Sequence, residues 1–150
     1  MPRLSLPSPV GRLTLFEESG VITALVWGGK SAGKPTRLLE DAKRQLAAYF
    51  AGRRKAFDLP LAPEGSPDEQ RVWALMAKIP YGETRSYGAL AHDLTLSPRV
   101  VGHACGRNPL PIFLPCHRVV SADGELGGYS GQGGVETKRK LLLLEGALLL

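Results

Sequence analysis

A cysteine, a histidine and an arginine stand side by side in the segment Pro115-Cys116-His117-Arg118-Val119. A base or a positive neighbour converts a thiol into the nucleophilic thiolate, so Cys116 is a candidate nucleophile. Adjacent side chains on an extended chain point to opposite faces, and a contact between His117 and Cys116 therefore requires a local turn or a bridging water. The residue types alone leave two interpretations of Cys116 open, a reactive thiolate and a buried structural cysteine.

The composition indicates a soluble globular protein of one ordinary domain or two small ones. The 150 residues are 43% hydrophobic, and the two cysteines, Cys105 and Cys116, match neither a disulfide framework nor a zinc-ligand pattern. The N-terminus has no signal-peptide pattern, and no apolar run reaches the roughly 18 residues that a membrane span needs. We therefore expect a cytoplasmic protein without a membrane partner.

The net charge of +5 is compatible with a polyanionic partner, although many proteins that bind none share such a charge. Residues 1–62 carry ten basic and five acidic side chains, whereas residues 63–150 carry nine of each. The basic excess thus lies outside the part of the chain that holds Cys116.

The first 62 residues predict a small α+β domain. Residues 13–16 and 21–27 are β-formers around a polar break that contains Gly20, which predicts a hairpin. Apolar side chains recur at helical spacing over residues 38–51, and Gly52 stands where a helix commonly ends.

A second domain is predicted over residues 63–150, after a linker whose prolines and glycine lie within residues 59–65. Its first helix begins at Ser66, with Pro67 at the first helical position and Glu69 placed for a capping box.

Two short helices separated by a tight turn predict a helix-turn-helix. Ser86 precedes a helix over residues 87–93, and Ser97 precedes another over residues 98–107. An extended run over 110–120 and a type I′ hairpin turn at Asp123-Gly124 would add a wing.

The chain then passes through a glycine-rich loop over residues 127–134. Glycine allows the backbone to approach a ligand closely, although such a loop is also typical of a flexible connector. A last helix is predicted over residues 135–145, followed by Gly146.

The segment PCHRV at 115–119 resembles the active-site motif of the O6-alkylguanine-DNA alkyltransferases, which reads Pro-Cys-His-Arg-Val/Ile. The resemblance is strong over residues 66–146 and looser over the N-terminal third. It also takes in IPYGET at 79–84, SY at 86–87, RVVG at 99–102, NP at 108–109, GYSG at 128–131 and EG at 145–146. It implies a small N-terminal ribonuclease H-like α/β domain followed by a C-terminal winged helix-turn-helix domain that carries the active site.

The reaction implied by the resemblance is the irreversible transfer of an alkyl group from guanine O6 in double-stranded DNA to Cys116. O4-alkylthymine is a second candidate substrate. The alkyl group is not readily released from the thioether, so one protein molecule repairs one lesion. Cys116 supplies both the acceptor and the electrons, so no cofactor is needed, and the zinc ligands of some family members have no counterpart before His92. A suicide acceptor needs no partner subunit, so we expect a monomer.

The resemblance assigns catalytic roles to the residues around Cys116. His117 is the base that takes the thiol proton through a water, and Glu145 orients the imidazole. Asn108 braces the active-site turn through main-chain hydrogen bonds, and the Tyr87 hydroxyl donates to a ring nitrogen of the leaving guanine. Taken singly, Glu145 could instead face solvent and Asn108 could cap a helix.

The target atom lies inside a base stack, so the nucleotide must rotate out of the duplex. The resemblance places Arg99 in the space that the flipped base leaves in the stack, and Tyr87 against the phosphate of the flipped nucleotide. It places the helix that carries Val100 and Gly102 in the minor groove. The implied pocket for the flipped base is lined by Cys105, Val119, Tyr129, Ser130 and Gly131.

The sequence departs from the family pattern at several positions. Val100 stands where relatives have a small residue, Cys105 where they have a larger one, and Gln132-Gly133 is an apparent insertion in the pocket loop. Two other functions stay open at this point. One is a non-enzymatic winged-helix DNA-binding protein with an inert Cys116, and the other is a thiol hydrolase that uses Cys116, His117 and Glu145.

Overall fold

The computed structural model of the chain describes residues 2–129 and 131–148. They divide into two compact units that meet between Glu64 and Gly65, two residues after the predicted boundary. Both units combine helices with strands, so the predicted α+β class is confirmed. None of the helices in the described ranges is long and apolar enough to cross a bilayer.

The first unit contains a three-stranded antiparallel sheet of β1 (Arg3–Leu6), β2 (Leu13–Glu18) and β3 (Val21–Trp27), in that order. The predicted hairpin between β2 and β3 is confirmed. Ser19 and Gly20 at its turn both have positive φ, as a type I′ turn requires. Strand β1 was missed, because its four residues offer only two apolar positions.

Helix α1 (Arg37–Phe50) confirms the helix predicted over 38–51 and packs on this sheet. It begins after Thr36, whose hydroxyl accepts a hydrogen bond from the Leu39 N–H, and Gly52 follows its end with a φ of 77°. Its fully buried apolar side chains share one face: Leu39, Ala42, Leu46 and Tyr49.

The segment predicted as a linker is partly tied to the first unit. The Ile22 N–H donates to the carbonyl of Pro60, and the Ala62 N–H donates to the carbonyl of Ile22. Residues 60–62 thus lie along strand β3, and proline composition alone gave no sign of this pairing.

In the second unit, helix α2 (Pro67–Met76) begins with the predicted capping box, in which Ser66 and Glu69 each bond the other's backbone N–H. Trp73 is buried on this helix, and its indole N–H donates to the carbonyl of Ala104 at 2.9 Å. This bond fixes α2 against the helix that carries Ala104.

The predicted helix-turn-helix is confirmed as α3 (Tyr87–Leu94) and α4 (Pro98–Gly106). Ser86 and Ser97 are their N-caps, each accepting a hydrogen bond from the backbone N–H three residues on. Thr95 ends α3 in the left-handed conformation, with a φ of 57°.

The prediction of extended structure over residues 110–120 is mostly wrong. This segment consists of turns and a 3₁₀ turn, Cys116–Arg118, and only β5 (Val119–Val120) is a strand. Strand β5 pairs in parallel with β4 (Arg85–Ser86), which the sequence did not predict. The pairing partner lies more than thirty residues earlier in the chain, where no local pattern marks it.

The type I′ turn predicted at Asp123-Gly124 is also wrong. Positive φ falls at Gly124 and not at Asp123, and the Gly124 N–H donates to the Ser121 carbonyl, which makes Gly124 the last residue of the turn. The last helix, α5 (Val135–Leu144), ends one residue before the predicted position, so that Glu145 is its C-cap and Gly146 follows with a φ of 75°.

Candidate active site

Cys116 is the first residue of the 3₁₀ turn Cys116–Arg118, and its side chain lines a surface cavity of about 690 Å³. The residue is only 4% exposed, so the thiol lies at the inner wall of this cavity. The backbone is therefore not extended at Cys116 and His117, and this meets the sequence-based requirement for a local turn if the two side chains are to act together.

The loop before Cys116 is held by the buried side chain of Asn108. Its amide nitrogen donates to the Leu114 carbonyl at 2.8 Å, and its amide oxygen accepts from the Leu110 N–H at 2.9 Å. Ile112 in the same loop is buried with a φ of 76°, a conformation that β-branched residues rarely adopt. The loop conformation is therefore imposed by its surroundings.

His117 is fully buried, and its Nε2 lies 2.8 Å from Oε2 of Glu145. A carboxylate accepts hydrogen bonds, so Nε2 carries the ring proton and Nδ1 holds a lone pair. Nδ1 is buried and has no hydrogen-bond partner among the described residues. Burial lowers the pKa of His117, which leaves the ring neutral and able to accept a proton.

Arg118 points to Glu145 and not to the thiol. Its Nε donates to Oε1 at 2.8 Å and its Nη2 to Oε2 at 2.9 Å, while Nη1 donates to the Ile79 carbonyl at 2.7 Å. The guanidinium therefore holds the carboxylate in one orientation and balances its buried charge. Adjacency in sequence wrongly indicated Arg118 as a cation for Cys116.

The cation beside Cys116 is Lys138, which the sequence analysis missed. Lys138 is fully buried in α5, and its Nζ donates to the carbonyls of Val119 at 2.7 Å and Gly128 at 3.2 Å. It lies on the face of α5 that also carries the buried Leu141 and Leu142, three and four residues on. A lysine at a core position of the helical repeat is the signal that could have found it.

Opposing effects act on the Cys116 thiol. Burial raises its pKa, whereas a hydrogen bond with Asn108 and the positive charge of Lys138 lower it, and the net direction is upward. Cys105, in the same cavity, has a pKa raised to about 12, mainly by burial. Both cysteines thus rest as thiols at neutral pH, and Cys116 needs a base to become a nucleophile.

The structure brings most of the predicted site residues to one place. The predicted residues that line the cavity are Tyr87, Arg99, Gly102, Cys105, Cys116 and Tyr129. Gly128 of the predicted pocket loop lines it too, as do Pro98, Gly106, Ser121 and Gly127, which were not predicted.

Other predicted residues lie elsewhere. Val119 is buried behind the cavity and its carbonyl accepts the Lys138 hydrogen bond, while Val100 is exposed on α4. Gly131 does not line the cavity, and Ser130 lies outside the described residues. Across residues 2–129 and 131–148, no three His, Cys, Asp or Glu side chains group as metal ligands would.

Gly127 determines how closely the pocket loop approaches Tyr87. Its φ is 74°, and a Cβ built on it would lie 3.1 Å from the Tyr87 ring and hydroxyl. Only glycine combines this conformation with this approach. The phenol is held between the loop and Lys138, and burial raises its pKa to about 12.

Comparison with known protein families shows which family the chain belongs to. The family described as 6-O-methylguanine DNA methyltransferase, DNA binding domain, matches residues 67–147, and the ribonuclease-like domain of the same enzymes matches residues 4–63. The chain belongs to the 6-O-methylguanine DNA methyltransferase family. The resemblance of the motif around Cys116 and the predicted two-domain fold are thereby confirmed.

Relatives within this family match along nearly the whole chain. A methylated-DNA–protein-cysteine methyltransferase of Methanosarcina acetivorans is 43% identical, over 93% of this chain and 95% of its own. The constitutive methylated-DNA–protein-cysteine methyltransferase of Bacillus subtilis is also 43% identical, over 92% and 91%.

Solved structures of the 6-O-methylguanine DNA methyltransferase family share the fold. The crystal structure of Mycobacterium tuberculosis OGT in complex with DNA has a TM-score of 0.85 and 41% identity, covering 97% of this chain and 92% of that one. The M. tuberculosis O6-methylguanine methyltransferase structure has a TM-score of 0.86 and 40% identity, covering 100% and 96%.

Proposed function

We propose that this protein repairs DNA by transferring the alkyl group of O6-alkylguanine to Cys116, once per molecule. The observation that carries the proposal is the position of Cys116, which lines a cavity while the next residue, His117, forms a buried pair with Glu145. Family membership supplies the reaction class, because the relatives named above are methylated-DNA–protein-cysteine methyltransferases.

The reaction begins when His117 takes the thiol proton. Its Nδ1 is the ring nitrogen with a free lone pair, and the proposed proton path from Cys116 to this nitrogen runs through a water. The thiolate attacks the alkyl carbon in line with the O6 bond. A carbon–sulfur bond forms, the carbon–oxygen bond breaks, and its electron pair stays on guanine. The Tyr87 hydroxyl protonates a ring nitrogen of the departing base.

Glu145 keeps the imidazole in the tautomer that this step needs and stabilises the imidazolium that forms. Arg118 holds Glu145 from the other side, so the carboxylate has one fixed orientation. Asn108 and Lys138 favour the thiolate once the proton has left. No redox or group-carrier cofactor takes part, because the electrons come from sulfur.

Double-stranded DNA that contains alkylated guanine is the proposed partner. The lesion must leave the base stack to reach a thiol at the inner wall of the cavity. Arg99 is exposed on α4 at this cavity and is proposed to fill the gap in the duplex. A monomeric protein in the cytoplasm remains our expectation from the sequence.

Intact-mass measurement tests the proposal. After incubation with duplex DNA that contains O6-methylguanine, the protein should gain one methyl group, located on the peptide with Cys116. Cys116→Ser should gain none, because an alcohol is far less acidic than a thiol. Cys105→Ser is the matched control and should react normally. If the mass of the protein without substitutions does not change, the protein is a DNA-binding regulator or a hydrolase instead.

A further inference from the structure

A second surface cavity lies in the first unit and shares no residue with the cavity of Cys116. It measures about 480 Å³ and is formed by helix α1 and the chain that follows this helix. Its charged side chains are three arginines and one aspartate: Arg44, Arg53, Arg54 and Asp41. The rest of its lining consists of Gln45, Ala47 and Ala48. We call this cavity the arginine groove.

The end of helix α1 brings the arginines together. Asp41, Arg44 and Ala48 follow one another at intervals of three and four residues, so they share one face of the helix. Gly52 turns the chain back with a φ of 77°, and the Arg53 N–H donates to the Ala48 carbonyl at 2.9 Å. The residues after the turn therefore line the same groove as the side chains of the helix.

The positive charge of the groove is only partly balanced. Asp41 forms an ion pair with Arg44, whose side chain is 75% exposed, and such surface pairs contribute little. Within the described ranges, neither Arg53 nor Arg54 forms an ion pair. The Arg54 Nε donates to the Ala56 carbonyl at 2.7 Å, which holds the guanidinium without neutralising it. All three guanidiniums can therefore bind an anion.

The chemistry of the groove fits the phosphodiester backbone of DNA. Residues 1–62 carry ten basic and five acidic side chains, an excess that the reaction at Cys116 does not use. A guanidinium binds phosphate oxygens through two parallel hydrogen bonds. Of the described residues, those that line the groove include no aromatic side chain on which unpaired bases could stack. Contacts to the backbone of a duplex position a protein and carry no sequence information.

We propose that the arginine groove is a second contact for the backbone of double-stranded DNA. It adds affinity that does not depend on base sequence or on a lesion. A repair protein must bind much undamaged DNA before it meets an alkylated base, and backbone contacts allow it to slide and hop along the duplex. The identity of the partner rests on the proposed function, and the groove adds a site in the first unit.

The alternative is that these arginines serve folding alone. Positive side chains stabilise the negative end of a helix, and the last turn of α1 has no basic residue of its own. Another alternative is an acidic protein surface as the partner. Salt dependence separates a DNA contact from both, because an arginine that neutralises a phosphate releases condensed counterions from the DNA.

The test measures the dissociation constant for an undamaged duplex at salt concentrations from about 50 to 200 mM. It compares the protein without substitutions with two double variants of equal net charge. One variant combines Arg53→Gln with Arg54→Gln. The matched control combines Arg12→Gln with Lys34→Gln, which removes two exposed charges of the same unit outside the groove.

The groove variant should show a shallower dependence of log Kd on log salt concentration. The slope should fall by about 0.9 for each lost phosphate contact, and binding at the lowest salt concentration should weaken about tenfold. The control variant should keep nearly the slope and affinity of the protein without substitutions. Equal slopes for the two double variants would overturn the proposal, because the effect would then reflect net charge alone.

Thermal melting establishes that each variant is folded. If the groove variant does not fold, the Nε–H NMR signals of Arg53 and Arg54 in the protein without substitutions decide the point. They should shift when undamaged duplex is added, and unchanged signals would refute the proposal. Failure of the proposed function is distinguishable, since Cys116 would then gain no alkyl mass while the difference between the two slopes would persist.

Discussion

His117 Nε2 and Glu145 Oε2 lie 2.8 Å apart, with both side chains completely buried. The same carboxylate accepts two hydrogen bonds from Arg118. The imidazole therefore has one orientation, and its free nitrogen is the one available to a proton from Cys116. Glu145 and Arg118 therefore have two effects. They fix the orientation of the His117 imidazole, and as a buried ion pair they also affect the stability of the fold.

Replacing Glu145 with glutamine should lower both stability and activity. The change leaves Arg118 as an uncompensated buried cation, and breaking such a pair typically costs about 3–5 kcal/mol. The rate of transfer from free O6-benzylguanine should fall about 100-fold, because the amide no longer stabilises the imidazolium. Chemical denaturation and single-turnover kinetics measure the two effects.

A double variant separates these effects. Glu145→Gln combined with Arg118→Met removes the unpaired cation and should recover much of the free energy of unfolding, but not the rate. Recovery of the rate along with stability would show that Glu145 acts through folding alone.

Stability should decrease as the pH falls below about 6.5, where an unfolded histidine gains a proton. Burial lowers the pKa of His117 in the folded protein, so the folded state binds fewer protons than the unfolded state in this range. The free energy of unfolding should then decrease by up to about 1.4 kcal/mol per pH unit. Thermal melts between pH 7.5 and 5.5 give the slope.

His117→Gln is the reference for this measurement, because glutamine does not titrate. The two exposed histidines, His92 and His103, remain in both proteins. Equal slopes for the two proteins would assign the pH dependence to other groups.

Arg99→Ala should slow repair of duplex DNA by about tenfold or more and leave reaction with free O6-benzylguanine nearly unchanged. The free base needs no extrusion and leaves no gap in a base stack. Lys140→Ala removes the same charge from an exposed position outside the cavity and should affect neither substrate strongly. Equal losses on both substrates for Arg99→Ala would place the arginine in the chemistry or in folding.

Gly127→Ala should destabilise the protein by roughly 1–2 kcal/mol, since a side chain disfavours the left-handed backbone found there. The added methyl group would also push against Tyr87, so the transfer rate should fall. Gly128→Ala is the neighbouring control, because no atom of the described residues lies within 4 Å of the new Cβ and φ is not positive there. If the two variants have the same melting temperature and the same transfer rate, the close approach of Gly127 to Tyr87 contributes to neither stability nor activity.

Local sequence determined the helices and the reactive segment. The serine caps at Ser66, Ser86 and Ser97 mark helix starts, because a cap bonds a backbone group only three residues away. The motif around Cys116 identified the family and predicts the nucleophile for the same reason, since its members are adjacent in the chain. Type I′ geometry at Ser19 and Gly20 is likewise local.

Only the tertiary structure decided which groups surround the thiol. Arg118 is adjacent to His117 but bonds Glu145, 27 residues on, and Lys138 reaches Tyr87 across 51 residues. Strand β5 pairs with β4 instead of forming a hairpin. Such pairings depend on how whole elements pack, because a buried charge settles where partners and carbonyls can satisfy it, and no local pattern records that position.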